Sequence, residues 1–175
     1  MAIPIKEGFK FIKGDIKVHP TTNVKLEYIV KSDAVCVTIF DEKLEKVLLV
    51  EQYRPGVDGN MFENVAGMID PGEDPFDAMK RELKEETGYS FDDLDCIVEH
   101  KTPILTTPYA TEKLYYYAAR LKSNDIEPRD TNFDEGEDIT SHWIKLDEID
   151  NYLSDIKTLF SISYFLPIIK SMKEA

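Results

Sequence analysis

The sequence predicts a fold of the α/β class: one mixed domain, with a small β element ahead of it. Its 175 residues, of which 42% are hydrophobic, are enough for one sizeable core but too few for two ordinary domains. Short apolar runs bounded by turn residues occur along most of the chain and are typical of strands. Among them lies one strongly capped helical segment, and a second apolar segment of helical length ends the chain.

The composition limits the partners and the location that we expect. The chain has 34 acidic and 21 basic residues, for a formal net charge of −13, and no block rich in lysine or arginine. Proteins that bind the phosphate backbone of nucleic acids normally carry a basic stripe, so we expect no nucleic-acid partner. No apolar run approaches the roughly 18 residues of a membrane-spanning helix, and the first residues lack the apolar core of a signal peptide. We therefore expect a cytoplasmic protein with no membrane partner.

The first 32 residues predict the small β element. Residues 8–31 contain three segments that alternate apolar and polar side chains, separated by Gly14 and by the turn sequence 19–23. They predict two or three antiparallel strands. So few strands are marginally stable alone, and they must pack either on the rest of their own chain or on another subunit. The residues alone leave both arrangements open.

Two longer apolar runs follow, at residues 34–40 and 47–53, with turn-forming residues between them. They predict a hairpin of buried strands. Cys36 lies in the first run, where we expect a buried free thiol. Cys36 and Cys96 are too few for a disulfide framework, and we assign no chemistry to either.

The best-defined helix is predicted at residues 75–87. Asp74 is a suitable N-cap residue, and Pro75 fits the first helical position, where its missing N–H costs nothing. Gly88 follows the last turn and can take the positive φ of a C-cap. Apolar residues spaced for one helical face give this helix a side to bury.

Three carboxylates project from a neighbouring face of this helix, because Glu82, Glu85 and Glu86 stand at positions i, i+3 and i+4. Like charges at this spacing repel, so the cluster needs a counter-charge, and the single guanidinium of Arg81 cannot serve all three. Clustered carboxylate oxygens on a rigid element are the ligands that Mg²⁺ or Mn²⁺ prefers. The alternative is a solvated acidic face, which is common on helices.

The whole stretch from residue 67 to residue 89 resembles the Nudix box, G-x5-E-x7-R-E-U-x-E-E-x-G-U, where U is an apolar residue. From average residue usage, a match at all seven fixed positions arises by chance on the order of 10⁻⁸ times per starting position. Tyr89 departs from the usual aliphatic residue at the last position, which affects packing more than chemistry. The fixed positions are Gly67, Glu73, Arg81, Glu82, Glu85, Glu86 and Gly88.

The resemblance covers about residues 30–160 and carries expectations for the fold and the assembly. It implies an α/β/α sandwich around a mixed sheet, formed by residues 33–175. It also implies that residues 1–32 are a dimerisation element, as in similar enzymes, so we expect a homodimer. Within the box, Arg81 would pair with the carboxylates and Glu73 would anchor the loop, while Gly67 and Gly88 would have structural roles.

The segments that flank the box point to one branch of the family. Residues 51–54 and 63–68 resemble those of ADP-ribose pyrophosphatases and related nucleoside-diphosphate-sugar hydrolases. In those enzymes the arginine helps to bind the diphosphate, which implies this role for Arg54, and we place Met68 at the substrate as well. The residue before the box glycine gives its carbonyl oxygen to a metal. The implied metal ligands are therefore Ala66, Glu82, Glu85 and Glu86.

A candidate general base lies in the loop between the predicted strands 94–100 and 114–121. Residues 107–112 resemble the family's Ser-Pro-Gly-x-x-x-Glu loop, although the glycine is absent and the loop is one residue shorter. The resemblance implies that Glu112 activates water, with Glu85 as the alternative. Glutamates in loops are usually exposed and without a role, and that interpretation stays open.

The rest of the chain predicts a strand at residues 139–146, a helix at 147–153, and an apolar helix at 156–173. Pro167 lies inside the last of these, which should therefore be kinked or split.

The resemblance implies divalent-metal-dependent hydrolysis of ADP-ribose or a related nucleoside diphosphate sugar, giving a nucleoside monophosphate and a sugar phosphate. Mg²⁺ is the expected cofactor, and Mn²⁺ the alternative. Two other functions remain open. One is a housecleaning pyrophosphohydrolase for nucleoside triphosphates, an enzyme type that generally lacks the N-terminal strands. The other is a non-catalytic sensor of nucleotide sugars with the same fold.

Overall fold

The computed structural model describes residues 12–106, 109–133, 136 and 138–173. Within these ranges the chain forms ten strands and two α-helices. The strands are β1 (Lys13–Val18), β2 (Lys25–Val30), β3 (Ala34–Phe40), β4 (Lys46–Arg54), β5 (Gly59–Glu63), β6 (Val65–Met68), β7 (Leu94–Glu99), β8 (Ile104–Leu105), β9 (Lys113–Leu121) and β10 (Thr140–Lys145), and the helices are α1 (Pro75–Thr87) and α2 (Ile156–Lys173).

Eight of these strands form one mixed sheet. Its main path runs in the order β10-β4-β3-β9-β7, with β5, β6 and β8 pairing beside β4, β3 and β9 respectively. β3 and β9 are parallel, whereas β3 and β4 form the predicted antiparallel hairpin. The remaining pairs in this sheet are antiparallel. The predicted mixed sheet is confirmed.

The two helices cover opposite faces of this sheet, because side chains alternate along β3. Val35, Val37 and Ile39 belong to a core cluster that includes Met79 and Leu83 of α1. Cys36 and Phe40 point the other way, into a cluster that includes Phe165 of α2. The α/β/α sandwich is therefore confirmed.

Cys36 has no exposed surface, as the sequence predicts. Burial raises the pKa of its thiol to about 12, which keeps it protonated.

Helix α1 begins and ends as predicted. The side chain of Asp74 accepts a hydrogen bond from the backbone N–H of Phe76 at 2.9 Å, and Pro75 occupies the first turn. Gly88 has a φ of 73° and closes the helix. Tyr89 is buried and meets Trp143 edge-on, so the unusual last residue of the box serves packing.

β3 and β4 share only two register pairs, Ile39 with Leu48 and Phe40 with Val47. Beyond that point β4 pairs with β5, and the first half of β3 pairs with β6. The two central strands therefore separate toward one end of the sheet. After Glu63 the chain passes from β5, which lies beside β4, to β6, which lies beside β3.

The N-terminal hairpin of β1 and β2 is a separate two-stranded sheet. Residues 8–11, in which a third strand was possible, lie outside the described residues. The hairpin contacts the rest of the chain through Ile29, whose N–H donates to Tyr109 O at 2.6 Å and whose carbonyl accepts from Thr111 N at 3.0 Å. Six of its apolar side chains are exposed: Ile12, Ile16, Val18, Val24, Leu26 and Val30.

Two expectations near the end of the chain differ from the structure. Residues 147–153 hold only a 3₁₀ turn at Ile149–Asn151 instead of a helix. At Pro167, where we expect a kink or a split, the helix is not split, because α2 runs through the proline as one helix. Both Pro167 and Ser163, whose carbonyl loses its helical donor, are exposed, so water can replace the missing bond. Neither helix of the described ranges is long and apolar enough to cross a membrane.

Candidate active site

Arg81 gathers the carboxylates of the box around one guanidinium. Its Nε and Nη2 donate to the two oxygens of Glu73, each at 2.9 Å. Its Nη1 donates to Glu82 at 2.6 Å and to Glu85 at 3.2 Å. Nη2 also reaches the backbone carbonyl of Met68 at 2.9 Å. The arginine thus connects helix α1 to the loop before it.

These bonds keep Glu73 and Arg81 ionised. Hydrogen bonds from Arg81, and a further one from the backbone N–H of Asp70, lower the pKa of Glu73 from 4.5 to about 2. The same contact with Glu73 raises the pKa of Arg81. Both groups therefore remain charged at neutral pH, and the loop is held to the helix by a bidentate ion pair.

The box glycine allows Glu82 to approach the backbone. A Cβ atom at Gly67 would lie only 1.9 Å from the carboxylate carbon of Glu82, so any larger residue would displace that side chain. Glu82 is 9% exposed and Glu86 2%, whereas the side chain of Glu85 is 29% exposed. Two of the three helix glutamates are therefore largely buried, and Glu82 lies against the backbone at Gly67.

A pocket of about 210 Å³ lies beside the first half of β3 and its neighbour β6. It brings together residues from five parts of the chain, including most of those that the sequence placed outside the helix. Among its lining residues are Lys31, Arg54, Ala66, Met68, Glu112 and Lys157.

Arg54 is oriented by a buried carboxylate. Its Nε and Nη2 donate to Glu63 at 2.6 and 3.0 Å, and the side chain of Glu63 is only 3% exposed. This contact raises the pKa of Arg54, and the nearby charge of Glu86 raises it further. Arg54 is therefore a fixed cation close to the helix glutamates, with Nη1 directed away from Glu63.

Glu112 is not an exposed loop residue, because only 11% of its side chain is accessible. Its Oε1 accepts a hydrogen bond from Lys31 Nζ at 2.5 Å. The backbones also meet: Lys31 N donates to the hydroxyl of Thr111 at 3.0 Å, and that hydroxyl donates to Lys31 O at 3.0 Å. The chain leaving the N-terminal hairpin therefore holds the loop that carries Glu112. Thr107 and Pro108, the first residues of that loop motif, lie outside the described residues.

Lys31, Glu63 and Lys157 are residues of this site that the sequence analysis did not select. Glu63 lies within the segment that resembles the nucleotide-sugar hydrolases, so it had a signal in the sequence. Lys31 and Lys157 had no such signal in the sequence. The hairpin and α2 bring them to the pocket from parts of the chain far from the box.

The donor atoms near the pocket suit a hard divalent cation. Glu82 and Glu86 offer carboxylate oxygens, and Ala66 offers a backbone carbonyl in the segment against which Glu82 packs. In the described ranges no three His, Cys, Asp or Glu side chains are arranged around one point as a metal site would require. Instead, Arg81 draws Glu82 and Glu85 toward its guanidinium. The donors thus fit Mg²⁺ or Mn²⁺ by chemical type.

The chain is similar to known proteins over most of its length. The ADP-ribose pyrophosphatase of Bacillus subtilis is 32% identical over 156 residues, covering 86% of this chain and 80% of that protein. The methanol dehydrogenase activator of Bacillus methanolicus is 28% identical over 155 residues, with the same coverage of 86% and 80%. The crystal structure of an ADP compounds hydrolase shares the fold, with a TM-score of 0.59 at 19% identity over 96% of this chain and 97% of that one. The model of the NUDIX domain matches residues 30–161, and the chain belongs to the Nudix family.

Proposed function

We propose that this protein hydrolyses the diphosphate bond of ADP-ribose or a related nucleoside diphosphate sugar, giving a nucleoside monophosphate and a sugar phosphate. The observation that carries this proposal is the pocket beside β3 and β6, where Arg54, Ala66 and Glu112 surround one space and Gly67, which contacts Glu82 of the box helix, forms part of the wall. The similarity to the ADP-ribose pyrophosphatase of Bacillus subtilis over most of both chains supports the substrate class.

The metal ligands in this proposal are Glu82, Glu86 and the Ala66 carbonyl, with Glu85 close by. Nudix hydrolases generally use divalent metals, and the all-oxygen donor set favours Mg²⁺, with Mn²⁺ as the alternative. When bound, such an ion would neutralise charge on the diphosphate as water attacks phosphorus. Arg81 and Glu73 hold the helix and its loop in register, and Gly67 keeps room for the Glu82 carboxylate.

Residues of the protein itself would bind the substrate and activate the water. Arg54, fixed by Glu63, binds the diphosphate through the guanidinium N–H groups that Glu63 does not use. Met68 is 59% exposed on the pocket wall and offers an apolar contact to the substrate. Glu112 orients the attacking water and accepts its proton, and its low exposure strengthens its interaction with that water. Glu85 is the alternative base.

The structure also bears on the two other functions. The N-terminal hairpin is present, and it contacts the loop of the general base, which favours a nucleotide-sugar hydrolase over a nucleoside triphosphate housecleaning enzyme. All three box glutamates and Glu112 are retained, which favours an enzyme over a silent sensor.

We further propose a homodimer formed through residues 1–32, with residues 33–175 as the catalytic domain. The exposed apolar side chains of the hairpin support this assembly, because a two-stranded sheet with such a surface is marginally stable unless it is covered. Light scattering should give twice the mass of the chain, and a monomer at micromolar concentration would contradict it. The cytoplasmic location and the lack of a nucleic-acid partner stay predictions from the sequence.

A substrate panel tests the proposed function. Purified protein is incubated with ADP-ribose, GDP-mannose and deoxynucleoside triphosphates in Mg²⁺, in Mn²⁺ and in excess chelator, and the products are separated by ion exchange. We expect AMP from ADP-ribose as the fastest reaction, and no turnover in chelator. Pyrophosphate from a triphosphate as the fastest product would show a housecleaning enzyme. Tight binding of ADP-ribose without cleavage would show a sensor.

A further inference from the structure

We propose that Lys157 is a second substrate-binding cation, which contacts a phosphate group beside Arg54, and that Glu63 is the positioning residue that holds both cations. The inference rests on the proposed function, which it deepens by assigning a binding role to the first turn of α2.

The geometry places the two cations on one carboxylate. Lys157 Nζ lies 3.0 Å from Glu63 Oε2, and Arg54 Nη2 lies 3.0 Å from the same oxygen. Arg54 Nε takes the other oxygen at 2.6 Å. The ammonium and guanidinium groups are therefore neighbours, and both line the pocket with Ala66 and Glu112.

Both cations have donors to spare. An ammonium group has three N–H donors, and those of Lys157 meet two carboxylates among the described residues, Glu63 at 3.0 Å and Asp155 at 3.3 Å. Its side chain is 27% exposed and that of Arg54 is 39% exposed, whereas Glu63 is 3% exposed. The Glu63 carboxylate is thus covered by Lys157 and Arg54, and both of these cations line the pocket.

All three groups stay charged in spite of their burial. Desolvation alone would raise the pKa of Glu63, but the hydrogen bond from Arg54 and the charge of Lys157 outweigh it and lower that pKa. Desolvation likewise works to lower the pKa of Lys157, and the charges of Glu63 and Asp155 reverse the effect and raise it. Arg54 already bonds both oxygens of Glu63, so a second buried ammonium is not needed to satisfy that carboxylate. Lys157 also pairs with Asp155, and its remaining N–H donor is the one that a phosphate group of the substrate would take.

The position of Lys157 is built into the fold. Its neighbour Thr158 accepts a hydrogen bond from the backbone N–H of Asn64 at 2.9 Å and donates to Asp155 at 2.9 Å. Asn64 lies between Glu63 and the β6 strand that carries Ala66. The first turn of α2 is therefore bonded to the same segment that supplies Glu63 and the Ala66 carbonyl.

Steady-state kinetics with ADP-ribose separate a binding role from a structural one. We expect Lys157→Met to raise KM about 10-fold with kcat changed less than about threefold, as expected when an interaction common to ground and transition states is lost. Lys157→Arg should recover most of the affinity. The control is Lys145→Met, which removes an ion-paired lysine outside the pocket, 3.1 Å from Glu148, and should leave KM unchanged. An unchanged KM in Lys157→Met, with only a lower melting temperature, would overturn the inference.

A second variant and a second ligand keep the test decisive. Lys157→Gln retains hydrogen-bond donors toward Glu63 but removes the charge, and it replaces the methionine variant if that does not fold. If the wild-type protein does not cleave ADP-ribose, the proposed function fails, and Lys157 is then tested by calorimetric titration with inorganic pyrophosphate in Mg²⁺. A Kd raised about 10-fold in the Lys157 variant supports the inference. A Kd equal to that of the wild type, or no binding by the wild type, contradicts it.

Discussion

The carboxylates of the site fall into two groups that are held in different ways. Glu82 and Glu85 on helix α1 are bound by Arg81 of the same helix, so this group is organised within one short stretch of chain. Glu112 is bound by Lys31, a residue 81 positions earlier that follows the N-terminal hairpin. The first group depends on local helical geometry and the second on tertiary contacts between distant segments.

This difference separates what the proposed metal binding requires from what the proposed activation of water by Glu112 requires. The box can form wherever the helix and its preceding loop are intact. The loop of Glu112 takes its position from the hairpin through Ile29 and Thr111 as well as Lys31. We therefore expect disturbance of the hairpin to impair catalysis while metal binding persists.

The largest effect should come from the box itself. Glu86→Gln removes a proposed metal ligand that is 2% exposed, and we expect kcat to fall roughly 10³-fold, the upper range for loss of one preorganised electrostatic group. Melting temperature and Mg²⁺ titration are measured in parallel. Glu99→Gln, an exposed residue at the end of β7, is the control. Turnover by Glu86→Gln within threefold of the wild type would remove Glu86 from the mechanism.

A smaller loss is expected at the other carboxylate. Glu112→Gln keeps the size of the side chain but cannot accept a proton, and we expect kcat to fall about 10²-fold, within the range for general bases. Mg²⁺ affinity, measured by calorimetry, should change little. If kcat is unaffected, Glu85 becomes the candidate base, and Glu85→Gln is the next variant to assay.

The two box glycines give contrasting effects of one added methyl group. In Gly67→Ala the new Cβ meets the flexible end of Glu82, so we expect kcat to fall about 30-fold through misplacement of that carboxylate, with little change in melting temperature. In Gly88→Ala the Cβ would lie 1.9 Å from the backbone carbonyl oxygen of Arg129, at a φ of 73°. We expect that variant to lose about 1–3 kcal/mol of stability instead. Equal effects of the two variants on stability would contradict this distinction.

Breaking the contact between the hairpin and the base loop should have a milder effect. Lys31→Met removes the partner of Glu112 and leaves the box intact, and we expect kcat to fall about 10-fold because Glu112 is less well oriented. Lys113→Met is the matched control, since Lys113 belongs to the same region and its ammonium lies 3.9 Å from Asp33. If both variants lose activity equally, the charge of this region matters and the specific pair does not.

The smallest effect concerns stability within the box. Because the pKa of Glu73 falls from 4.5 to about 2 on folding, its ionised form stabilises the native state above pH 4.5, and this contribution is lost as the pH falls toward 2. Glu73→Gln should cost about 1–2 kcal/mol of unfolding free energy at pH 7, typical of a partly exposed charge-assisted pair, and less at pH 3. Urea unfolding at both pH values measures it. A difference from the wild type that does not shrink at pH 3 would argue against the pair.

The sequence predicts the locally determined features of this molecule well. The caps at Asp74 and Gly88 define α1 to the residue, and the nearly continuous apolar run of β3 predicts a strand buried on both faces. It fails where distant segments meet. Nothing near Lys157 or Lys31 in the chain indicates that they reach the pocket, because their positions depend on how α2 and the hairpin pack.

The predicted helix at residues 147–153 is longer than the 3₁₀ turn that forms there, since a short segment with helical composition gains little from helix formation unless it packs. The separation of β3 and β4 after two residue pairs is another tertiary feature. It results because β6 takes the place of β4 beside β3, and β5 takes the place of β3 beside β4.

That separation has a consequence for the way the pocket is built. Where β3 and β4 are apart, β3 is bordered by β6 and β9, and β4 by β5. The first half of β3, the strand β6 and the last residue of β4 all contribute lining residues to the pocket. A shift of one residue in any of these pairings would turn the lining side chains to the other face of the sheet, so the shape of the cavity is set by strand register.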